Sequence, residues 1–431
     1  MRSPGITRTQ NAAFWAAWLG WTFDGLDGFI YALVARPFVQ ELLGKGAGEK
    51  EVVGKAALIQ AVFLIGWACG GAVFGRVGDR IGRSRTLTLT ILLYAAFTGA
   101  SFLAQTWWHL MIFRFFAALG IGGEWAAGSA LVAETLPRRY AHWASALLQS
   151  GYICGMIGAA ITVGALSHYP PRYVFLVGVI PALATLWIRR QVPETAEWHK
   201  ERETKKVPPI SDLFRQPVLR ITLMTFGISA IALTSVWALL FFSTQVVLKT
   251  PEALLMSASD KAVLVRNVTI VYCLWNIAGN FFSAALARTI GYRWAFTFLF
   301  IGAFLTYILG FRQAGNLQHV TFWLDATFFF SSGVFALFPM YIPPLFPVLL
   351  RTTGSGLCYN LGRLTAAAGT IYGGYIASKA GGPHMAIFYA GFLYLPGVAL
   401  TLFAPSLKHE SEPGGAAGSG DFGVDHPQTQ S

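Results

Sequence analysis

Charge is what this sequence has least of. Charged residues fill 12% of its 431 positions while 55% are hydrophobic, a balance that excludes an ordinary soluble domain and a disordered chain and leaves an integral membrane protein. Cysteine is scarce as well. Cys69, Cys154, Cys273 and Cys358 all fall within apolar runs, which argues against a disulfide framework or a metal cluster and for simple packing. The G-x-x-x-x-G-K-[ST] loop of an ATP-driven pump is missing, and so are a His-Glu-x-x-His pair and a nucleophile with its base, so neither a pump nor an enzyme is expected, and no cofactor. Acidic residues are outnumbered, giving a net charge of +12. In a soluble chain that excess would suggest nucleic acid. In a membrane protein the positive-inside rule accounts for it, and no nucleic-acid partner is expected. No small-residue cleavage site follows MRSPGITRTQN, so the first apolar run is read as a retained span and not a signal peptide.

What the sequence has is long apolar runs. A bilayer-crossing helix needs about 20 such residues, and runs of that order occur at 12–35, 56–75, 86–105, 109–135, 142–166, 172–190, 218–246, 264–287, 293–312, 319–343, 354–378 and 384–404. With the N-terminus inside, Lys and Arg fall in the inner segments twice as often as in the outer ones, so both termini are expected on the cytoplasmic side of a plasma (bacterial inner) membrane. The inner connection 191–217, with its charges and prolines, divides the chain into 1–190 and 218–405, and the Gly, Ser and Pro of 406–431 suit a disordered tail. The halves repeat. IGRSR at 81–85 matches IGYRW at 290–294, an offset of 209, and ETLPRRY at 134–140 matches PLFPVLL at 344–350, an offset of 210. In the second copy Arg288 stands where Asp79 stands in the first.

The basic turn GRVGDRIGRSR at 75–85 resembles the loop between the second and third helices of the major facilitator superfamily, with every fixed position filled. The resemblance implies an all-α membrane protein of twelve transmembrane helices, arranged as two six-helix bundles about a pseudo-twofold axis, with substrate between them near the bilayer midplane. Gly75, Asp79, Arg80, Gly82 and Arg83, with Glu134 at the inner end of the fourth span and Arg114 within it, are expected to govern conformation. Arg114 alternatively pairs with an acid of a neighbouring span.

Ionisable residues inside spans cost several kcal/mol and are functional candidates. At about 1.5 Å per residue, Asp24 lies roughly 20 Å into the first span and Arg363 about 18 Å into the eleventh. Asp27 shares the first span with Asp24, and Glu124 is central in the fourth. An arginine stays protonated and grips a carboxylate with its planar fork, while a desolvated carboxyl group can exchange a proton near neutrality. Asp24, Asp27 and Glu124 are thus expected to couple protons, and Arg363 to bind an organic anion. Arg363 alternatively only neutralises one of these acids. Gln149, Asn276, Asn280 and Asn360 are candidate uncharged contacts, because an amide in hydrocarbon needs a partner, and Tyr359 is a candidate aromatic one.

Four stretches narrow the resemblance: Asp24-Gly25 with Asp27, Gly122-Gly123-Glu124-Trp125, Pro193-Glu194 with Trp198, and LFPVLLRTTGSGLCYNLGR at 345–363. They resemble the sialate:proton and aromatic acid:proton symporters, which implies uptake of a monocarboxylate, sugar acid or aromatic acid with protons; a monomer is expected. The chain departs from that pattern at Pro344, where relatives have Glu, and lacks the extra spans of some sialic acid carriers. A carrier of a neutral sugar or an organic cation, a uniporter and a non-transporting sensor are the alternatives.

Overall fold

The structure, a computed structural model, describes residues 6–44, 46–166, 168–379 and 381–405, and every regular element among them is helical. The expected tail at 406–431 lies outside the described residues. In the first half come α1 (Arg8–Leu43), α2 (Glu49–Ile81), α3 (Arg83–Ser101), α4 (Trp107–Thr135) and α5 (Ala141–Ala165), then a 3-10 stretch Pro171–Val179 that runs into α6 (Ile180–Gln191). The connection carries α7 (Ala196–Thr204) and a 3-10 turn, Ile210–Phe214. The second half holds α8 (Val218–Leu248), the short α9 (Pro251–Leu254), α10 (Ala258–Phe311), α11 (Leu317–Gly333), α12 (Phe338–Tyr341), α13 (Arg351–Lys379), α14 (Pro383–Gly391) and α15 (Tyr394–Leu402).

Twelve crossings follow from these elements among the described residues. α10 breaks at Gly291 and supplies two crossings, α11 with α12 supplies one, and α14 with α15 supplies the last. By length and apolarity alone seven segments qualify, one of them Ser259–Phe311. The first, third, sixth and eleventh crossings do not. The first is interrupted by Asp24 and Asp27 and the eleventh by Arg363, and polar groups inside protein need not be apolar enough to face lipid. Most helices overrun the apolar runs that mark them, because polar residues beyond the hydrocarbon continue the same hydrogen-bond ladder.

Side-chain caps fix several starts: Thr7 and Gln10 form a capping box on α1, Thr106 accepts from His109 N on α4, and Asn316 from His319 N on α11. Gly82 (φ 107°, ψ 163°) and Gly291 (φ 80°, ψ 163°) adopt the same left-handed turn at corresponding places in the two halves. The repeat read from the sequence is therefore a repeat of backbone shape.

α4 is the innermost helix of its half. Small residues let its neighbours press close: a Cβ on Gly122 would collide with the Trp67 carbonyl of α2. The halves meet along α2 and α13, α4 and α13, and α5 and α10. Beyond Arg363, α13 turns exposed, with Ile371 77% and Tyr372 64% accessible, whereas Arg351, Thr353, Ser355 and Asn360 below are buried. This conformer is closed at the end that carries the 75–85 turn.

Candidate functional site

At mid-helix on α1 and α4, Asp24 and Glu124 are fully buried, 0% and 1% accessible, and none of their four carboxyl oxygens has a hydrogen-bond partner among the described residues. They are neighbours. Asp24 lies within the electrostatic reach of Glu124, Asp27 and Arg363. A Cβ on Gly20, one turn before Asp24, would collide with Glu124 Oε1, so a side chain at that position would leave no room for the pair. Charges left unsatisfied in low dielectric are costly, and such a site persists where function needs it.

Arg363 approaches from α13. Its Nη1 donates to Asn360 Oδ1 at 2.5 Å, its guanidinium lies 4.0 Å from the Trp67 ring centroid and 4.9 Å from that of Tyr359, and its Nε has no partner. Asn360 Nδ2 in turn reaches across the seam to the Gly122 carbonyl at 3.3 Å, and Tyr359 stacks on Trp125 at 3.9 Å. One turn of α13 is thus bolted to the GGEW stretch of α4. Around it the indole N–H groups of Trp21, Trp67 and Trp125 and the Tyr94 hydroxyl are buried without partners among the described residues. Spare donors thus lie beside spare acceptors in one buried polar cluster.

The geometry is that of a polar centre held between two helical halves, and the sequence profile of the Major Facilitator Superfamily matches residues 17–265, more than half of the chain. The chain belongs to the Major Facilitator Superfamily. Among relatives, it is 29% identical over 378 residues to the sialic acid transporter NanX of Escherichia coli (strain K12), covering 87% of this chain and 89% of that one. It is 27% identical to a probable 4-methylmuconolactone transporter of Cupriavidus pinatubonensis, covering 86% and 85%. These relatives match the organic acid branch of the superfamily and are transporters, not enzymes. The solved proton:xylose symporter XylE superposes with a TM-score of 0.74 at 16% identity, over 92% of this chain and 96% of the other, which shows the shared fold.

Within this transporter, Asp27 and Arg114 form an ion pair of their own beside the centre. Arg114 Nη1 donates to both Asp27 oxygens at 2.9 and 3.0 Å, Nη2 to the Asp27 carbonyl at 3.2 Å, and Thr98 of α3 adds a hydroxyl at 2.6 Å. The Phe63 ring lies 4.4 Å from the guanidinium. Arg114 was expected either at a gate or against an acid of a neighbouring span, and the structure places it with Asp27, tying α1, α3 and α4 together.

Gln149 and Asn280 lie on the α5 and α10 faces that meet at Ala146 and Ala284, and Gln149 Oε1 and both amide atoms of Asn280 are buried without partners. Asn276 is half-exposed and sits one turn away from Asn280.

The conformational residues form a lock at the turn end. Asp79 accepts from Thr352 N at 3.1 Å, Thr353 N at 2.9 Å and the Thr353 hydroxyl at 2.5 Å, so a carboxylate of the first half caps α13 of the second. Arg83 donates to Glu134 at 2.9–3.1 Å and to the Val348 carbonyl at 2.5 Å, with Asp79 3.4 Å away. Gly75 lets α2 pack on the Thr352 carbonyl, and Gly82 supplies both the left-handed turn and the space that Glu194 fills. Arg80 is exposed, outside this lock. The sequence reading missed four members. Arg351 bridges Glu134 at 3.0 Å and Glu197 at 3.1 Å, Thr195 donates to Glu134 at 2.5 Å, and Glu194 accepts from Arg83 N at 2.6 Å. The signal for Glu194, Thr195 and Glu197 was acid and hydroxyl residues placed just after the sixth span, and for Arg351 a charge just ahead of the eleventh.

Proposed function

We propose that this transporter takes up a small organic anion, a monocarboxylate, sugar acid or aromatic acid, together with protons. The observation that carries the reading is the pair of unpartnered buried carboxyl groups, Asp24 and Glu124, beside the buried guanidinium of Arg363. The fork of Arg363 holds the substrate carboxylate, its free Nε being the donor still available. Asn360 and Tyr359 orient that fork, and Gln149 and Asn280 offer unsatisfied amides to the rest of the molecule. Asp24 and Glu124 take and give protons, and Asp27 with Arg114 holds the frame around them.

Alternating access follows from the two halves, 1–190 and 218–405, rocking about the centre, with 191–217 as their connection. The turn end faces the cytoplasm of a bacterial inner membrane, as its basic residues direct, and the lock of Asp79, Arg83, Glu134 and Arg351 holds the outward-facing conformer. A monomer in the bilayer suffices, without cofactor.

The test has two stages. A thermal-shift screen of organic acids against the purified protein finds a ligand, since one present at a hundredfold excess over its Kd adds about 2.7 kcal/mol of stability. Labelled uptake of that acid into proteoliposomes, with and without an inward proton gradient, then checks coupling. Uptake that ignores the gradient would remove Asp24 and Glu124 from the coupling role, and a screen answered only by neutral sugars or amines would remove the anion.

A further inference from the structure

We propose that Asp24 and Glu124 hold one proton between them in the empty carrier, and that a second enters with the substrate, so that one proton crosses for each monoanion. This deepens the reading of the centre as a proton-coupled anion site and rests on it.

The argument counts charges. Asp24 and Glu124 touch no donor among the described residues, and each is the other's neighbour. Asp27 is neutralised in place by Arg114, at 2.9 Å, and Glu134, Asp79, Arg83 and Arg351 are paired with one another far down the helices. Apart from the half-buried Asp325 on α11, two carboxyl groups and one guanidinium, Arg363, therefore remain to balance one another. Like charges in contact and out of water do not both ionise. A single proton on the pair leaves one carboxylate against one guanidinium, and the O–H so formed donates to the second carboxylate, which gives one oxygen of each group its missing partner. Neutrality is met.

An arriving monoanion on Arg363 unbalances the centre by one negative charge. A proton from the outer solution binds the remaining carboxylate oxygen and restores the balance, and after the halves reverse, anion and proton leave to the inner solution. The carrier returns with the shared proton still in place. Each cycle moves one proton and one anion, with no net charge. Gly20 makes this arrangement feasible, because any Cβ there would drive the Glu124 carboxyl away from Asp24.

The proton can be seen without any substrate. Infrared spectra of the purified protein in lipid nanodiscs at neutral pH, in an Asp325→Asn background that removes the half-buried carboxyl of α11, should show the C=O stretch of one protonated carboxyl group. Asp24→Asn and Glu124→Gln should each abolish it although each keeps one acid, because the new amide donates to the surviving carboxylate and Arg363 balances its charge. The double variant, which loses the like-charge contact and is the safest to fold, should lack the band too. A band of undiminished intensity in either single variant would assign the proton to one residue and overturn the sharing, as would no band in the parent. Since no anion is present, these outcomes do not depend on whether the uptake assay succeeds.

Discussion

At the scale of single residues the centre separates groups that share a helix and almost a turn. Asp24 and Asp27 are three positions apart, yet the first meets no donor among the described residues and the second accepts from Arg114 and Thr98. Breaking a buried ion pair costs about 3–5 kcal/mol, whereas replacing both partners by apolar residues is close to neutral. Asp27→Asn should therefore melt far below the parent in detergent, and Asp27→Leu with Arg114→Met should recover most of the loss and retain gradient-driven uptake. Loss of coupling in the stable double variant would return Asp27 to the proton path. Arg363→Lys should weaken binding of the screened acid about tenfold or more, worth about 1.4 kcal/mol, because an ammonium cannot reproduce the fork or its stacking on Trp67. Unchanged affinity by calorimetry would make Arg363 a structural residue.

Depth was legible in the sequence and direction was not. A fixed rise per residue turns position into distance along a helix, which is why Asp24, Glu124 and Arg363 were expected at one level and are found together. Counting says nothing of which face a residue presents, so the partners of Asp27 and the indoles of Trp21, Trp67 and Trp125 emerged only from packing. The lock was half legible for the same reason. Its basic turn has a recognisable spacing, but Arg351, Thr353, Glu194 and Glu197 are brought to it by tertiary contacts from segments more than a hundred residues away.

At the scale of elements, the N-terminus of α13 is where the two halves are latched. Its first amides carry the positive end of the helix dipole, and Asp79 covers them while Glu134 and Glu197 offset Arg351 at the same end. Losing a cap of this kind costs about 0.5–2 kcal/mol, enough to shift a two-state balance about tenfold. Asp79→Ala should raise the rate of maleimide labelling of a cysteine placed at Leu349, buried in this conformer, by about that factor in a background stripped of the four native cysteines. An unchanged rate would mean that other contacts hold this end shut. The second copy of the turn is built differently: Tyr292, where Arg83 stands in the first, stacks on His142 of α5 at 5.0 Å, and Arg288 is exposed. An aromatic contact replaces the ion pairs, which is how the repeat keeps its backbone and loses its charge pattern.

At the scale of the whole molecule, the charge count at the centre has an electrical consequence. If one proton accompanies one monoanion, a membrane potential imposed with potassium and valinomycin at equal pH on both sides should leave uptake of the screened acid unchanged, while a pH step of one unit supports up to about tenfold accumulation. Uptake driven by the potential alone would require a second coupled proton per cycle. The twelve-helix layout itself was readable from apolar runs and from the repeat, and two of the four crossings that fail a simple apolarity test, the first and the eleventh, are the ones carrying Asp24, Asp27 and Arg363.

The connection between the halves is usually regarded as a tether, but here Glu194, Thr195, Glu197 and Trp198 are fastened to the first half's turn and to Arg351. The polypeptide is thereby divided, functionally, after Thr204 rather than after Gln191. Two co-expressed fragments severed between Thr204 and Pro208 would each keep a complete side of the clasp and reassemble around it, whereas scission ahead of Pro193 would strand those acids on the wrong fragment.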